Sequence, residues 1–509
     1  MGLRGVLGTE RTVELRTGWQ RFWPVALTSL VVATILGVSG ALAGPRWAPT
    51  EMHRTIIPTT ADVRIGGTEQ SPVGTYTVRV EPIRIDLGEV TVDGLLFLPE
   101  GAPAGPGVVF MHGAGTGEPE AFAPHGQALA SAGIRVLVPA KRLDDYSTRE
   151  RNYPSMAQDY LVSWRYLRER VPGVDPDRVG FYAESEGAWI APIAAADEPD
   201  VAFLMLISAP VVPPREQAAF ATANYLRNTH VPRGVFRAIP RALGAQIPGG
   251  GFEYVDFDVL PYLRQVDVPV LMAYGTDDAS MPIVQGALIV IDTLAAHGND
   301  AVTVRYFDGA DHGLMIDEQL APGFTTVLSS WTLGLPATAS APPQIAGDRP
   351  EQEYRAAAVP SPAWFASGDM LVWSIIGSFL LVVAGLGLGA VSLVRRRSPA
   401  AAVGRLAVAA GLAALAVVTT FVAYIAQIAT LAMNYHLDDT VVIGGWILVQ
   451  LLGIFAVVVG VVSVRAAMHA RRAGTYFTVT DKVSWWATHV GSLALLLVAA
   501  YWGVFPAVG

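Results

Sequence analysis

The chain contains no cysteine. That excludes disulfides, thiolate metal sites and a cysteine nucleophile. Charge is scarce as well: 16% of the 509 residues are charged, where a soluble globular chain carries about 25%. The formal net charge is −9 and no long Lys/Arg run exists, which argues against nucleic acid as a partner. No metal-ligand spacing, P-loop or dinucleotide fingerprint occurs, so neither a metal nor a cofactor is expected. Mean hydropathy is nonetheless positive, at +0.39. A long chain with this balance is expected to join a soluble part to a membrane part.

Five apolar stretches approach or exceed the roughly 20 residues needed to cross a hydrocarbon core. They run from about Phe22 to Ala43, Met370 to Val394, Leu406 to Met433, Val441 to Val464 and Trp485 to Phe505. The flanking cations set an orientation. Arg4, Arg11, Arg16 and Arg21 precede the first stretch, and Arg395, Arg396, Arg397 and Arg405 separate the second from the third. Arg465, Arg471, Arg472 and Lys482 separate the fourth from the fifth. The loop from Asn434 to Thr440 has two Asp and no cation. If all five stretches span, every basic cluster falls on one side, the cytoplasmic one. The expected plan is a cytoplasmic N-terminus (1–21), an anchor (22–43), an extracytoplasmic soluble domain (44–335), a flexible Pro/Ala/Ser-rich linker (336–369) and a four-span region (370–509). Ala41-Leu42-Ala43 has the small-x-small form of a signal-peptidase site. The length of the first apolar run favours a retained anchor. The use of Ala, Val, Gly and Arg with few Lys fits a high-GC bacterial genome.

The soluble segment alternates short apolar runs with helical patterns. Strands are expected over Tyr76 to Leu87, Glu89 to Leu98, Gly107 to Met111, Ile134 to Pro139, Val179 to Ala183, Ala202 to Ser208, Val268 to Tyr274 and Val302 to Phe307. Ser155 to Arg170 reads as an amphipathic helix, with Met156, Tyr160, Trp164 and Leu167 on one face. This alternation implies an α/β fold with a mostly parallel sheet between helices. Residues 210–267 interrupt it, with a helix near Glu216 to Leu226 and a Gly-rich turn at Gly249 to Gly251. An insert there is expected to act as a lid.

Four motifs fall at strand ends. Ala183-Glu184-Ser185-Glu186-Gly187 follows a short apolar strand and precedes a helix. Such a turn strains the central Ser and admits only small residues two positions to either side, which Ala183 and Gly187 satisfy. Ser185 is therefore the candidate nucleophile. His112-Gly113-Ala114-Gly115 follows an earlier strand. Its glycines let the backbone approach a reacting carbonyl, so the N–H groups of Ala114 and Glu186 are the candidate oxyanion hole. His112 is expected to order that loop. Asp277 and Asp278, in Tyr274-Gly275-Thr276-Asp277-Asp278-Ala279-Ser280-Met281-Pro282, both suit the acid of a triad. His312 follows the last of these strands in Asp308-Gly309-Ala310-Asp311-His312-Gly313 and is the candidate base. The chain order Ser, Asp, His is that of α/β-hydrolases.

On these residues, residues 63–335 resemble bacterial α/β-hydrolases of the dienelactone-hydrolase and acylaminoacyl-peptidase-like branch, often described as esterases. The likeness extends to Gly173-Val174-Asp175-Pro176-Asp177-Arg178-Val179-Gly180 and to Ala191-Pro192. The family spacing Gly-x-x-Asp-x-x-(Val/Met)-Pro selects Asp278 as the acid and leaves Asp277 in solvent. The family's Gly-x-Ser-x-Gly-Gly departs here to Ala183 and Ala188. The resemblance, which does not cover the apolar C-terminal part, implies a serine hydrolase acting on a small-molecule or lipid ester; the apolar stretches add the expectation that it is membrane-anchored. Acyl transfer, peptide cleavage and a non-catalytic scaffold remain as alternatives. Lys141 and Arg142, near the site, either contact an anionic substrate or tie their loop down. Glu184 and Glu186 either repel anions, pair with Arg142 or make local contacts.

Overall fold

The computed structural model describes residues 18–69, 72–115, 117–245, 251–395, 399–433 and 438–506. The chain divides into two compact units. One holds Trp47–Tyr225 and Gly249–Pro360; the other holds Met1–Arg46, Leu226–Pro248 and Ser361–Gly509.

After an initial long helix, α1 (Gly18–Ala43), the first of these units builds a nine-stranded sheet. Its members are β1 (Val78–Asp86), β2 (Thr91–Pro99), β3 (Gly105–Met111), β4 (Arg135–Pro139), β5 (Val174–Glu184), β6 (Leu204–Ile207), β7 (Val270–Gly275) and β8 (Val302–Phe307). A small hairpin, β9 (Met315–Ile316) with β10 (Gln319–Leu320), stands apart, and β11 (Ile345–Gly347) completes the sheet. The order is β1-β2-β4-β3-β5-β6-β7-β8-β11. β1 pairs antiparallel with β2 and β2 with β4, and every later pairing is parallel.

Alternate strand residues enter two cores. Val109, Phe181 and Leu204 face one, with residues of α3 (Tyr153–Arg170), α4 (Gly187–Asp197) and α8 (Ile283–Ala296). Val108, Tyr182 and Met205 face the other, with residues of α2 (Ala123–Ser131) and α9 (Phe324–Gly334). Burial on both faces is why the central strands are continuous apolar runs rather than alternating ones. In α3 the expected stripe of Met156, Tyr160, Trp164 and Leu167 is buried. The Asn152 side chain caps that helix by accepting from Ser155 N at 3.1 Å, a contact generally worth about 1 kcal/mol.

Two segments carry structure beyond what was expected of them. Residues 336–369, expected as a linker, include a paired strand. β11 pairs with β8, and Arg305 reaches the carbonyls of Pro343 and Gln344 at 2.9 and 3.0 Å. Gln285 also exchanges bonds with Ala356, accepting from its N at 2.8 Å and donating to its O at 3.0 Å. Non-local pairing supplied partners that a Pro/Ala/Ser-rich composition does not advertise. The segment 210–267, expected as a lid, is divided between the two units. It contains α5 (Pro214–Asn228), α6 (Ala238–Leu243) and α7 (Leu260–Leu263), and residues 226–248 belong to the other unit. The Gly-rich turn expected at 249–251 lies mostly outside the described residues.

The second unit contains α1, α6, α10 (Gly368–Arg395), α11 (Pro399–Met433), α12 (Gly445–Arg472) and α13 (Val479–Tyr501). Five of its helices are long and apolar enough to cross a membrane: Phe22–Ala43, Gly368–Val391, Ala400–Leu431, Thr440–Arg472 and Val479–Tyr501. Backbones meet at small residues, as is usual where apolar solvent gives helices no hydrophobic reason to associate. A Cβ at Gly40 would stand 2.0 Å from the Ala500 carbonyl oxygen, and one at Gly385 would stand 2.3 Å from Thr488 Oγ1. The basic residues expected at 4, 11, 16, 396 and 397 lie outside the described residues.

Candidate active site

β5 runs directly into a turn at Ser185, whose φ is +53°. An L-residue there is strained, typically by about 1–3 kcal/mol, and is held only by its surroundings. One constraint comes two residues later: a Cβ at Gly187 would meet the Met111 carbonyl oxygen at 2.8 Å. The turn therefore needs glycine at 187 so that β3 and the start of α4 can close around the serine. The expected helix begins at Gly187, because Ser185 and Glu186 form the turn itself.

The other two side chains arrive from neighbouring parallel strands whose C-terminal ends share one sheet edge. Asp278 follows β7 and His312 follows β8. His312 Nδ1 lies 2.9 Å from Asp278 Oδ2, and its Nε2 lies 3.0 Å from Ser185 Oγ. With Nδ1–H donating to the carboxylate, Nε2 is left to accept the serine proton. Asp278 is buried, and its Oδ1 accepts from the backbone N–H of Ser280 and Met281 at 2.8 and 3.1 Å. Asp277 is exposed. The structure thus brings Asp278, and not Asp277, to the histidine.

Burial acts to lower the His312 pKa. The adjacent Asp278 carboxylate and its hydrogen bond, with Glu184 and Asp311 beyond, outweigh that effect and raise it above the ordinary histidine value. Glu184, whose carboxyl accepts from Tyr182 at 3.0 Å, is pushed up to about 7 by burial, against the opposing pull of His312 and the tyrosine bond.

A Cβ at Gly113 would come within 3.3 Å of Ser185 Cβ, so the loop after β3 passes close to Ser185. Ala114 follows in that loop, and Glu186 N–H lies at the start of α4. His112 is fully buried, with Nε2 bonded to the Pro139 carbonyl at 2.8 Å. Burial holds it down to about 4, so it stays neutral and fixes the loop.

Lys141 donates to the Gly113 carbonyl and, at 2.9 Å, to Glu186 Oε2. Glu186 also accepts from Arg151 at 2.5 Å and from Tyr146 at 2.9 Å. Lys141 therefore ties the loop down. Arg142 points elsewhere, to Glu89 and Asp144 at 2.8 and 2.7 Å, which corrects the expectation that it could pair with Glu184 or Glu186. The sequence reading missed Tyr146, Arg151 and Ser208. Ser208 Oγ donates to the His312 carbonyl at 2.7 Å. No local motif marks any of the three, since each acts through a distant partner.

Residues 147–329, which include Ser185, Asp278 and His312, match the prolyl oligopeptidase family. No curated protein matches the chain. Among solved structures, the chain is similar to a dienelactone hydrolase from Anabaena variabilis: 19% identity over 50% of this chain and 94% of that one, TM-score 0.32. It is similar to the acylaminoacyl peptidase of Pyrococcus horikoshii at 18% identity, over 52% of this chain and 41% of that one, TM-score 0.37. It is also similar to EstE1, a thermophilic carboxylesterase cloned from a metagenomic library, at 20% identity over 54% and 92%, TM-score 0.39. The family match and the mostly parallel sheet support a serine hydrolase of α/β-hydrolase fold.

Proposed function

We propose that the chain is a membrane-anchored serine hydrolase that cleaves a carboxylic ester at the outer face of the membrane. The observation that carries the reading is the series Ser185 Oγ, His312 Nε2, His312 Nδ1, Asp278 Oδ2, with successive contacts of 3.0 and 2.9 Å. His312 takes the Ser185 proton as Oγ attacks the carbonyl carbon. The N–H groups of Ala114 and Glu186 hold the resulting oxyanion, and Asp278 supports the charged imidazole. His312 then gives its proton to the departing alcohol, and water releases the acyl group by the same steps in reverse. α1 serves as a retained anchor, a reading supported by its close approach to α13 at Gly40. The basic loops lie on the cytoplasmic side and the hydrolase unit outside.

Peptide cleavage is the second reading, favoured by the family that residues 147–329 match. One experiment tests both. The purified full-length chain is incubated with a fluorophosphonate probe, an activated ester and a peptide amide, beside a Ser185→Ala variant. Labelling and ester turnover that vanish in Ser185→Ala support the first reading. Labelling that persists in the variant overturns the nucleophile. Amide turnover exceeding ester turnover favours the second.

A further inference from the structure

Residues 226–248 carry Arg227, Arg233, Arg237 and Arg241 and no Asp or Glu. A stretch of one sign attracts groups of the opposite charge. In the hydrolase unit Arg142, Arg151 and Arg215 each have a carboxylate within 3 Å, whereas the buried Arg135 and Arg305 donate to backbone carbonyls. Among the described residues, no carboxylate forms an ion pair with Arg233, Arg237 or Arg241.

The position of this stretch within its own unit says where the partner lies. Arg241 is 1% exposed; its guanidinium donates to the Gly40 carbonyl at 2.9 Å and lies 4.6 Å above the Tyr501 ring. Gly40 is in the last turn of α1, where carbonyls lack helical partners and the dipole favours a cation. Tyr501 ends α13. A Cβ at Gly234 would touch the Trp446 ring at 2.8 Å, in the first turn of α12. The stretch therefore abuts the end of the bundle where α1 and α13 finish and α12 begins. Aromatic rings gather there: Tyr424 with Trp446 at 5.6 Å and Phe421 with Trp502 at 6.4 Å. Tyr and Trp collect at the headgroup level of membranes. Val231, Val235 and Ile239 are buried, while Arg233 is exposed and Arg237 half-buried. Apolar residues turned inward and cations left outward, at that depth, are what an interfacial segment presents to lipid phosphates.

We propose that residues 226–245 form a docking surface for anionic phospholipid headgroups. Arg233 and Arg237 take the lipid charge, and Arg241 fixes the segment to the bundle. The proposal rests on the reading of the five helices as membrane spans. The segment would hold the chain at a set depth in the leaflet on its side, and concentrate anionic lipid there.

The test uses the full-length chain reconstituted into phosphatidylcholine vesicles with trace spin-labelled phosphatidylglycerol or spin-labelled phosphatidylcholine. Electron paramagnetic resonance reads the motionally restricted fraction of each, and hence their relative association. Cations at the opposite end of the bundle also attract phosphatidylglycerol, so the quantity that decides is the change on substitution. Arg233→Gln with Arg237→Gln should lower the phosphatidylglycerol preference by about 5-fold or more, since each surface cation is worth about 1 kcal/mol. Arg233→Lys with Arg237→Lys should retain it, and both variants should keep wild-type turnover of a soluble ester. An unchanged preference in the Gln variant overturns the docking surface. A loss in the Lys variant equal to that in the Gln variant points to a shape-specific protein partner and also overturns it. Failure to find any restricted lipid would instead refute the spans on which the proposal rests.

Discussion

Lys141 Nζ and Glu186 Oε2 are 2.9 Å apart with both side chains almost wholly buried. The same ammonium holds the Gly113 carbonyl. A trans peptide points its C=O and N–H in opposite directions, so anchoring the Gly113 oxygen aims the Ala114 N–H the other way. Glu186 contributes its own N–H at the start of α4. One ion pair thereby links the two peptide groups proposed to bind the oxyanion. Burial lowers the Lys141 pKa, and the Glu186 carboxylate opposes that effect.

Removing the ammonium takes one of two cations from a buried carboxylate and frees the loop. Lys141→Met is expected to lower kcat by about 10²-fold or more, the scale of a lost oxyanion donor, with a smaller change in KM. It is also expected to destabilise the protein by about 3 kcal/mol, the lower end for a broken buried pair, because Arg151 and Tyr146 still hold Glu186. Steady-state kinetics and thermal unfolding in detergent check this. Lys141→Arg should recover part of kcat, and kcat unaffected by Lys141→Met would separate the pair from catalysis.

The two adjacent aspartates should behave differently. Asp278→Asn leaves the imidazole without the partner that sets its tautomer, a loss that costs about 10⁴ in turnover in a serine protease. A fall in kcat of that order is expected, with little change in KM. Asp277 is exposed, and Asp277→Asn should stay within about ±0.5 kcal/mol in stability and keep most activity. Near-normal turnover by Asp278→Asn at pH 7 to 8 would contradict the geometry.

The pH dependence has a definite sign. His312 must be neutral to accept a proton, so activity rises as pH passes its pKa. Because Asp278, Glu184 and Asp311 raise that pKa on balance against burial, the ascending limb of kcat/KM should lie above the ordinary histidine value of about 6.5. Glu184→Gln removes one negative charge and should move the limb to lower pH. A wild-type limb near 5 would show that burial wins over the carboxylates.

The absence of cysteine permits a direct test of sidedness. Ala104→Cys lies at an exposed site in the hydrolase unit, and Ala473→Cys at an exposed site after α12. In intact cells a membrane-impermeant maleimide should label Ala104→Cys at once and Ala473→Cys only after permeabilisation. The opposite pattern would invert the orientation.

Local features of the sequence determined a good deal. The apolar stretches near 22, 370, 406, 441 and 485 have the length of membrane spans, and each is helical where described. The strand, small-x-Ser-x-Gly turn and helix around Ser185 are legible from residues a few positions apart, because the strained turn itself demands small neighbours. The alternation of strands and helices follows from periodicity in the same way. What the tertiary structure decided was partnership over distance. Asp277 and Asp278 are equivalent by residue type. The family spacing favoured Asp278, and where the β7 and β8 ends approach closely, with a Cβ at Gly275 standing 2.1 Å from the Ala310 carbonyl oxygen, Asp278 is the one that meets His312. Glu186 gained Lys141 and Arg151 from a loop far back in the chain, and the three residues of β11 became a strand only by pairing with β8. Residues 226–248 read as part of an insert in the hydrolase, yet they joined the apolar helices, because the carbonyl and rings that Arg241 needed were at the ends of α1 and α13. A residue's own neighbours specify its backbone, whereas a buried charge takes whatever partner the folded chain brings within reach.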